Sequence, residues 1–278
     1  MLARRRADTG TPREHDNADT HATWGRYAGD DFLVILGQEV TTRTGHWLAL
    51  GVRPGQVVGR HLDEVHRGGG LCVVAHPHAP YDSGTFLYPY EGFDVVEVWN
   101  GPWSSGLPWQ ADNEAALAEW GRGLAADIRR RGGWRPAMGN SDAHLSGQIG
   151  VPHTVVQAEE LTTDAVLAGI RAGRSWIAGS AAVELSFEVS AGAQRVLIGG
   201  QLEHGDEPAM ARVRVSGVPS GTVSFHTGRG MAHVASLPGA GVGEVEWSVD
   251  AVDSAFIRVE VRHPGGDMAA LSNPIILG

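Results

Sequence analysis

The fold turns on the reading of one stretch, Phe32-Leu33-Val34-Ile35-Leu36-Gly37-Gln38-Glu39-Val40-Thr41-Thr42-Arg43-Thr44-Gly45-His46. Its apolar opening, closed by a glycine, predicts a buried strand over 32–36. The polar run that follows then leaves the carboxyl end of that strand, carrying Glu39 and His46 into a loop. Gly45-His46 also fits a hairpin corner. Similar short strands are expected over Trp47 to Val52, Leu71 to Ala75 and Val95 to Trp99, each closing on a polar or glycine-containing turn. Between them, Asp112 to Arg131 predicts an amphipathic helix, because Leu117, Trp120, Leu124 and Ile128 recur at helical spacing and Gly132-Gly133 ends it. A second helix is expected to start at Thr162 as N-cap, bury Val166, Leu167 and Ile170, and stop at Gly173. Strands alternating with helices indicate an α/β layer or barrel.

The pattern changes near Ser180. Beyond it apolar residues alternate with polar ones: Val183, Leu185, Phe187 and Val189, then Val213 and Val215, Val223 and Phe225, Val245 to Val249, and Ile257 to Val261. Gly199-Gly200, Pro219-Ser220 and Pro264-Gly265 separate the runs. This is the period of a small antiparallel sandwich. The division expected is therefore 1–180 and 181–278.

Composition excludes several functions. The chain has 278 residues, 42% of them hydrophobic, enough for a sizeable core. A net charge of -10 opposes a nucleic-acid surface, and no apolar run approaches the ~20 residues of a membrane span. All 22 basic residues are arginine, so Schiff-base and phosphate-loop lysines are absent. Cys72 is the only cysteine and lies in an apolar run, which fits a buried thiol rather than a nucleophile. Met1 to Thr20 carries a basic cluster with no apolar stretch behind it, so the chain as written is expected in the cytoplasm. A start upstream of Met1 would leave export open.

Histidine and carboxylate remain. Glu14-His15-Asp16-Asn17, Glu39 with His46, His76 in Ala75-His76-Pro77-His78, and Asp142 with His144 all precede Ser180. Imidazoles and carboxylates brought from separate strand ends can surround divalent cations, and a carboxylate can bridge two of them. Each residue alone also fits a hydrogen-bonded or surface role, and Ser141-Asp142 fits a turn. His78 is expected outside the direct ligand set, and His21, His66 and His226 are expected in solvent or peripheral. Trp99, Asn100 and Trp103 fit a pocket lining and loop packing equally.

In order along the chain, these segments resemble the PHP (polymerase and histidinol phosphatase) superfamily, specifically its CehA/McbA family of metallohydrolases. The matching pieces are Glu14-His15-Asp16-Asn17, Gly37-Gln38-Glu39-Val40-Thr41 with Gly45-His46, and Ala75-His76-Pro77. They continue with Val95-Val96-Glu97-Val98-Trp99-Asn100-Gly101 and Asn140-Ser141-Asp142-Ala143-His144, and Ser272-Asn273-Pro274-Ile275 resembles the end of the family's sandwich. The resemblance implies an α/β fold, a PHP-type distorted (β/α)7 barrel followed by a small antiparallel β-sandwich. It implies up to three divalent metal ions, Zn, Mn or Fe, with Glu39 bridging, His46 and His76 on the second, Asp142 on the first, and His15 with His144 on the third.

The family's opening strand with its His-x-His pair has no counterpart in the fourteen residues before His15. A barrel without its first strand and fewer bound metals are therefore expected, through a truncated chain or a misplaced start. The function implied is a hydrolase using a metal-bound hydroxide on a phosphoester, ester, carbamate or amide of a small molecule. The alternative is a catalytically impaired metal- or ligand-binding remnant.

Overall fold

The computed structural model describes residues 16–107, 110–130, 133–145, 147–203, 207–249 and 254–278. The first sheet has five strands in the order β1 (Gly37–Thr42), β2 (Gly45–Leu50), β3 (Leu71–Ala75), β4 (Val95–Asn100) and β5 (Ala137–Asn140). β1–β2 and β2–β3 are antiparallel, whereas β3–β4 and β4–β5 are parallel.

This overturns both the α/β class and the (β/α)7 barrel: the described residues are mostly β, with four helices among seventeen strands. Barrel strands are all parallel, and each return needs a crossover of a dozen or more residues. Thr42 pairs with Gly45 across a turn of Arg43 and Thr44, which closes a hairpin and leaves no room for a helix. Gly45 makes the turn possible: its φ of 121° is open to glycine, and a Cβ there would lie 2.6 Å from the Phe86 Cα. The sheet is open, and one helix lies in a parallel return between its strands, α3 (Asn113–Arg129) between β4 and β5. The expected strand over 32–36 is also corrected. Those residues lie outside the sheet ladder: Phe32 bridges Gly29, and the Leu36 carbonyl accepts from Gly51 and Val52 while Ile35 is buried.

Strand alternation explains the sheet's two faces. Val40, Trp47, Ala49, Cys72, Val74, Val96 and Val98 share one face, and α3 packs Leu117, Trp120 and Leu124 against it. The α3 register follows from its sequence, with the Asp112 carboxylate capping the Ala115 amide at 3.0 Å. Burying Leu124 contributes about 2 kcal/mol. On the other face, Leu50, Leu71, Val73, Val95 and Met138 meet Val166, Leu167 and Ile170 of α4 (Thr163–Arg171), capped by Thr162 as its sequence predicts. Farther along that same face the alternation places Glu39, His46 and Glu97. α1 (His21–Gly25) and α2 (Leu62–His66) are single short turns.

The remaining strands form a β-sandwich-like pair of sheets. One is β14 (Gly243–Val249), β11 (Ala209–Ser216), β8 (Glu184–Ala191) and β9 (Gln194–Leu197) in that order. The other runs β10 (Gln201–Leu202), β17 (Ile275–Leu277), β15 (Phe256–Arg262), β16 (Met268–Ser272), β7 (Ser175–Ala178) and β6 (His153–Val156). β12 (Thr222–Thr227) pairs with β15 and with β13 (Gly230–Ser236). Phe187, Val189, Val213 and Val215 face Phe225, Ile257, Val259 and Val261 in one core. The β7–β16 ladder joins residues on either side of the composition change at 180.

Candidate metal centre

β2 runs antiparallel to β3, so its first residues lie beside the end of β3, and His46 pairs with Ala75. The hairpin register sets Glu39 opposite Leu48 and Thr41 opposite His46, so Glu39 and His46 are diagonal neighbours on one face. The chain leaves β3 through His76, whose φ of 25° turns its ring back toward them. Three elements thus bring three donors together at the carboxyl end of β3.

Their contacts are close. Glu39 Oε1 lies 2.8 Å from His46 Nδ1 and 3.2 Å from His76 Nε2, and both histidines are buried. The imidazoles meet edge to face at 5.1 Å, and Tyr81 stands 6.1 and 6.2 Å from them.

Beneath the cluster sits Glu97, 2% exposed. Its Oε2 accepts from the His76 backbone amide at 2.5 Å and from Asn100 Nδ2 at 3.3 Å, and its Oε1 accepts from Asn140 Nδ2 at 2.7 Å. One buried carboxylate therefore ties the ends of β3, β4 and β5 together. Burial pushes the Glu97 carboxyl up to about 7, and the Asp142 charge adds to that against the opposing pull of His76 and its hydrogen bonds. For His76, burial acts downward. The hydrogen bond to Glu39 and the charges of Glu97, Glu39 and Asp142 outweigh it, and the imidazole rises to about 9. These surroundings favour positive charge.

Asp142 and His144 follow β5 at the same sheet end. Asp142 takes a φ of 39°, and His144 Nδ1 donates to the Asp142 carbonyl at 2.7 Å with the carboxylate 3.5 Å away. Three of the four non-glycine residues with positive φ among the described residues, Asp16, His76 and Asp142, lie on segments that reach this end. Such strain persists where surrounding structure holds it, commonly at functional sites. Asp16 is tethered there directly, its amide donating to the Glu39 carbonyl and its carboxylate accepting from Thr41. His15 lies outside the described residues.

The three-residue cluster fits a divalent cation. Its donor atoms lie within 4.8 Å of one another. Tetrahedral ligands about 2 Å from a zinc ion stand about 3.3 Å apart, so the observed separations need little adjustment. Two imidazoles and a carboxylate are also a set used by zinc. His76 Nδ1, the ring nitrogen not facing Glu39, is buried without a hydrogen-bond partner among the described residues.

A second group, His66, Cys72 and Asp94, gathers at the opposite end of β3. Asp94 Oδ2 there accepts from the Cys72 amide at 2.8 Å and lies 2.9 Å from His66 Nε2. Burial, with Asp94 and Asp63, pushes the Cys72 thiol up to about 12, and the Sγ contacts the Leu62 carbonyl. A protonated thiol so engaged makes a structural latch.

Several residues stand apart from the centre. His78 pairs with Glu119 at 2.7 Å. Asn100 is buried with its amide committed to Glu97, while Trp99 and Trp103 meet edge to face 5.0 Å apart within the core. His21, expected in solvent, is buried between the Gly37 carbonyl and the Gly55 amide. Sequence reading missed Glu97 as a site residue. Its one signal was an acid on the inward parity of an otherwise apolar strand.

Residues 133–175 match the PHP-associated family, and this segment holds β5, Asp142 and His144. The match associates the segment with the PHP superfamily. No curated protein matches the chain. Among solved structures, the crystal structure of an engineered protein is similar over 81% of this chain at 14% identity, with a TM-score of 0.24. The chain covers 54% of that protein's length. No helix among the described residues is long and apolar enough to cross a membrane.

Proposed function

We propose that Glu39, His46 and His76 hold a divalent cation of the Zn, Mn or Fe type, and that the protein is a metal-dependent hydrolase of a small molecule. The observation that carries this is the meeting of two buried imidazoles from different elements on one oxygen of Glu39. A cation in such a site supplies Lewis acidity toward a phosphoryl or acyl oxygen and makes water more acidic.

The protein's own residues would do the rest. Glu39 and the two histidines orient the donors, and Glu97 fixes the His76 turn through its backbone amide. Asp142 and His144 bring a second carboxylate and imidazole to the same sheet end, where a substrate group or a further cation would meet them. Tyr81 gives the centre an aromatic wall. Phosphoester, ester, carbamate and amide bonds all suit this chemistry, and fold membership does not choose among them.

Elemental analysis after loading with zinc or manganese tests the reading. Glu39→Gln is expected to lose most of the bound metal, whereas His78→Ala keeps it. Equal loss in both variants would overturn the assignment. Nitrophenyl phosphate and nitrophenyl acetate, assayed with the loaded protein, then test hydrolysis. Full metal content without turnover of either would reduce the protein to a metal-binding scaffold.

A further inference from the structure

A cavity of about 610 Å³ lies between α3 and strands β12 and β15, elements that contribute none of the candidate metal ligands. Its charged lining is Glu114, Arg122, Arg129, Arg258, Glu260 and Arg262, four cations against two anions. That surplus stands out in a chain whose net charge is -10.

The acids are already engaged. Glu114 takes both terminal nitrogens of Arg262, at 2.6 and 3.2 Å. Glu260 accepts from Arg262 Nη2 at 3.2 Å and from Arg258 Nη1 at 2.7 Å. Arg258 itself is 7% exposed, with its guanidinium 5.5 Å from the centre of the Trp120 ring.

That single hydrogen bond to Glu260 is the one the Arg258 side chain makes among the described residues. Its Nη2 lies beside Gly121, where a Cβ would stand 3.7 Å away. None of the guanidinium nitrogens is sealed off without a partner among the described residues, and Arg258 lines the cavity, so its spare donors are open to an acceptor there. Arg122 and Arg129, seven residues apart and so on one helix face, line the same cavity from α3. His226 adds no charge, because burial and the neighbouring Arg258 press its imidazole down to about 4.

We propose that this cavity binds a small oxyanion, a phosphate or carboxylate group, on Arg258 with Arg122 and Arg129 closing over it. The planar guanidinium presents paired donors that match two oxygens of either group. Gly121 borders the guanidinium: a Cβ there would stand at ordinary contact distance from Nη2, 3.7 Å, so a bulky side chain at 121 would crowd it.

Calorimetric titration of the full chain with inorganic phosphate, and separately with acetate, tests this and separates the two sources. Saturable one-to-one binding of either anion is expected, with the tighter one naming the group. Affinity is expected to fall at least tenfold in Arg258→Met and in the exposed pair Arg122→Ala/Arg129→Ala. Gly121→Leu should abolish binding while raising helix propensity, so it carries the test if Arg258→Met fails to fold. Glu39→Gln should leave the anion site intact, which keeps this inference separable from the metal centre. No saturable heat with either anion, or equal affinity in Gly121→Leu, would overturn the site.

Discussion

Asn273 offers a stability test with a definite magnitude. It is 1% exposed and lies between β16 and β17, yet its amide reaches β5 and β7. Oδ1 accepts from the Ala137 amide at 2.7 Å, and Nδ2 donates to the Ala137 carbonyl at 3.1 Å. Nδ2 also lies 3.1 Å from the Ser175 carbonyl and 2.9 Å from Ser175 Oγ. The side chain thus serves as one more rung between sheets, joining positions 136 residues apart. Nδ2 has two hydrogens to share among three oxygens, so the side chain makes three full hydrogen bonds. At about 1 kcal/mol net each, with about 1 kcal/mol more for the Ala137 amide left buried and unsatisfied, Asn273→Ala should cost about 4 kcal/mol. Asn273→Asp keeps the acceptor but turns a second oxygen toward the Ala137 and Ser175 oxygens, so it should cost at least as much. Urea unfolding followed by tryptophan fluorescence, with equal m-values confirmed, measures both. A loss below about 1 kcal/mol in Asn273→Ala, or an Asp variant more stable than the Ala variant, would refute the bridging role.

Three further outcomes follow from particular contacts. Gly45→Ala forces a residue into a φ of 121° and against Phe86, so it should destabilise the protein by about 2 kcal/mol or more and lower metal content along with it, as read by melting temperature and elemental analysis. An unchanged melting temperature would contradict the tight hairpin. His226 is held near 4 by burial, then by Arg258, below its ordinary 6.5. Its contribution is present above pH 6.5 and is lost as pH falls toward 4, by about 2 kcal/mol at pH 5. The stability gap between wild type and His226→Gln should therefore shift by about that amount between pH 7.5 and pH 5, and a constant gap would refute the buried neutral imidazole. Glu97→Ala should raise the amide-exchange rate at His76 more than at Leu71, because it removes the His76 anchor and leaves the far end of β3 untouched. Equal change at both ends would deny Glu97 its positioning role.

Much of this molecule is legible residue by residue. The strands at Leu71–Ala75 and Val95–Asn100, the helix capped by Asp112 and the helix capped by Thr162 follow from apolar periods and capping chemistry, which act within a few residues. The alternating strands after Ser180 are equally local in origin. The donor types at Glu39, His46, His76 and Asp142 are also present in the sequence as types, without their partners.

Tertiary structure decided which strands pair and in which direction. Phe32–Leu36 has the composition of a strand but stays outside the ladder, since β1 takes its pairing from Gly37–Thr42, where the two-residue turn at Arg43-Thr44 fixes register at little loop entropy. That short closure replaced the parallel barrel with an antiparallel hairpin. It also set Glu39 beside His46 and put both at the end of β3, where His76 turns in. The bonds of Glu97 to β3 and β5, of Asn273 to Ala137, and of Arg258 beneath α3 join residues far apart in the chain. No local period carries such pairings. They exist because folding buries polar groups that must find partners wherever the packed sheets bring them.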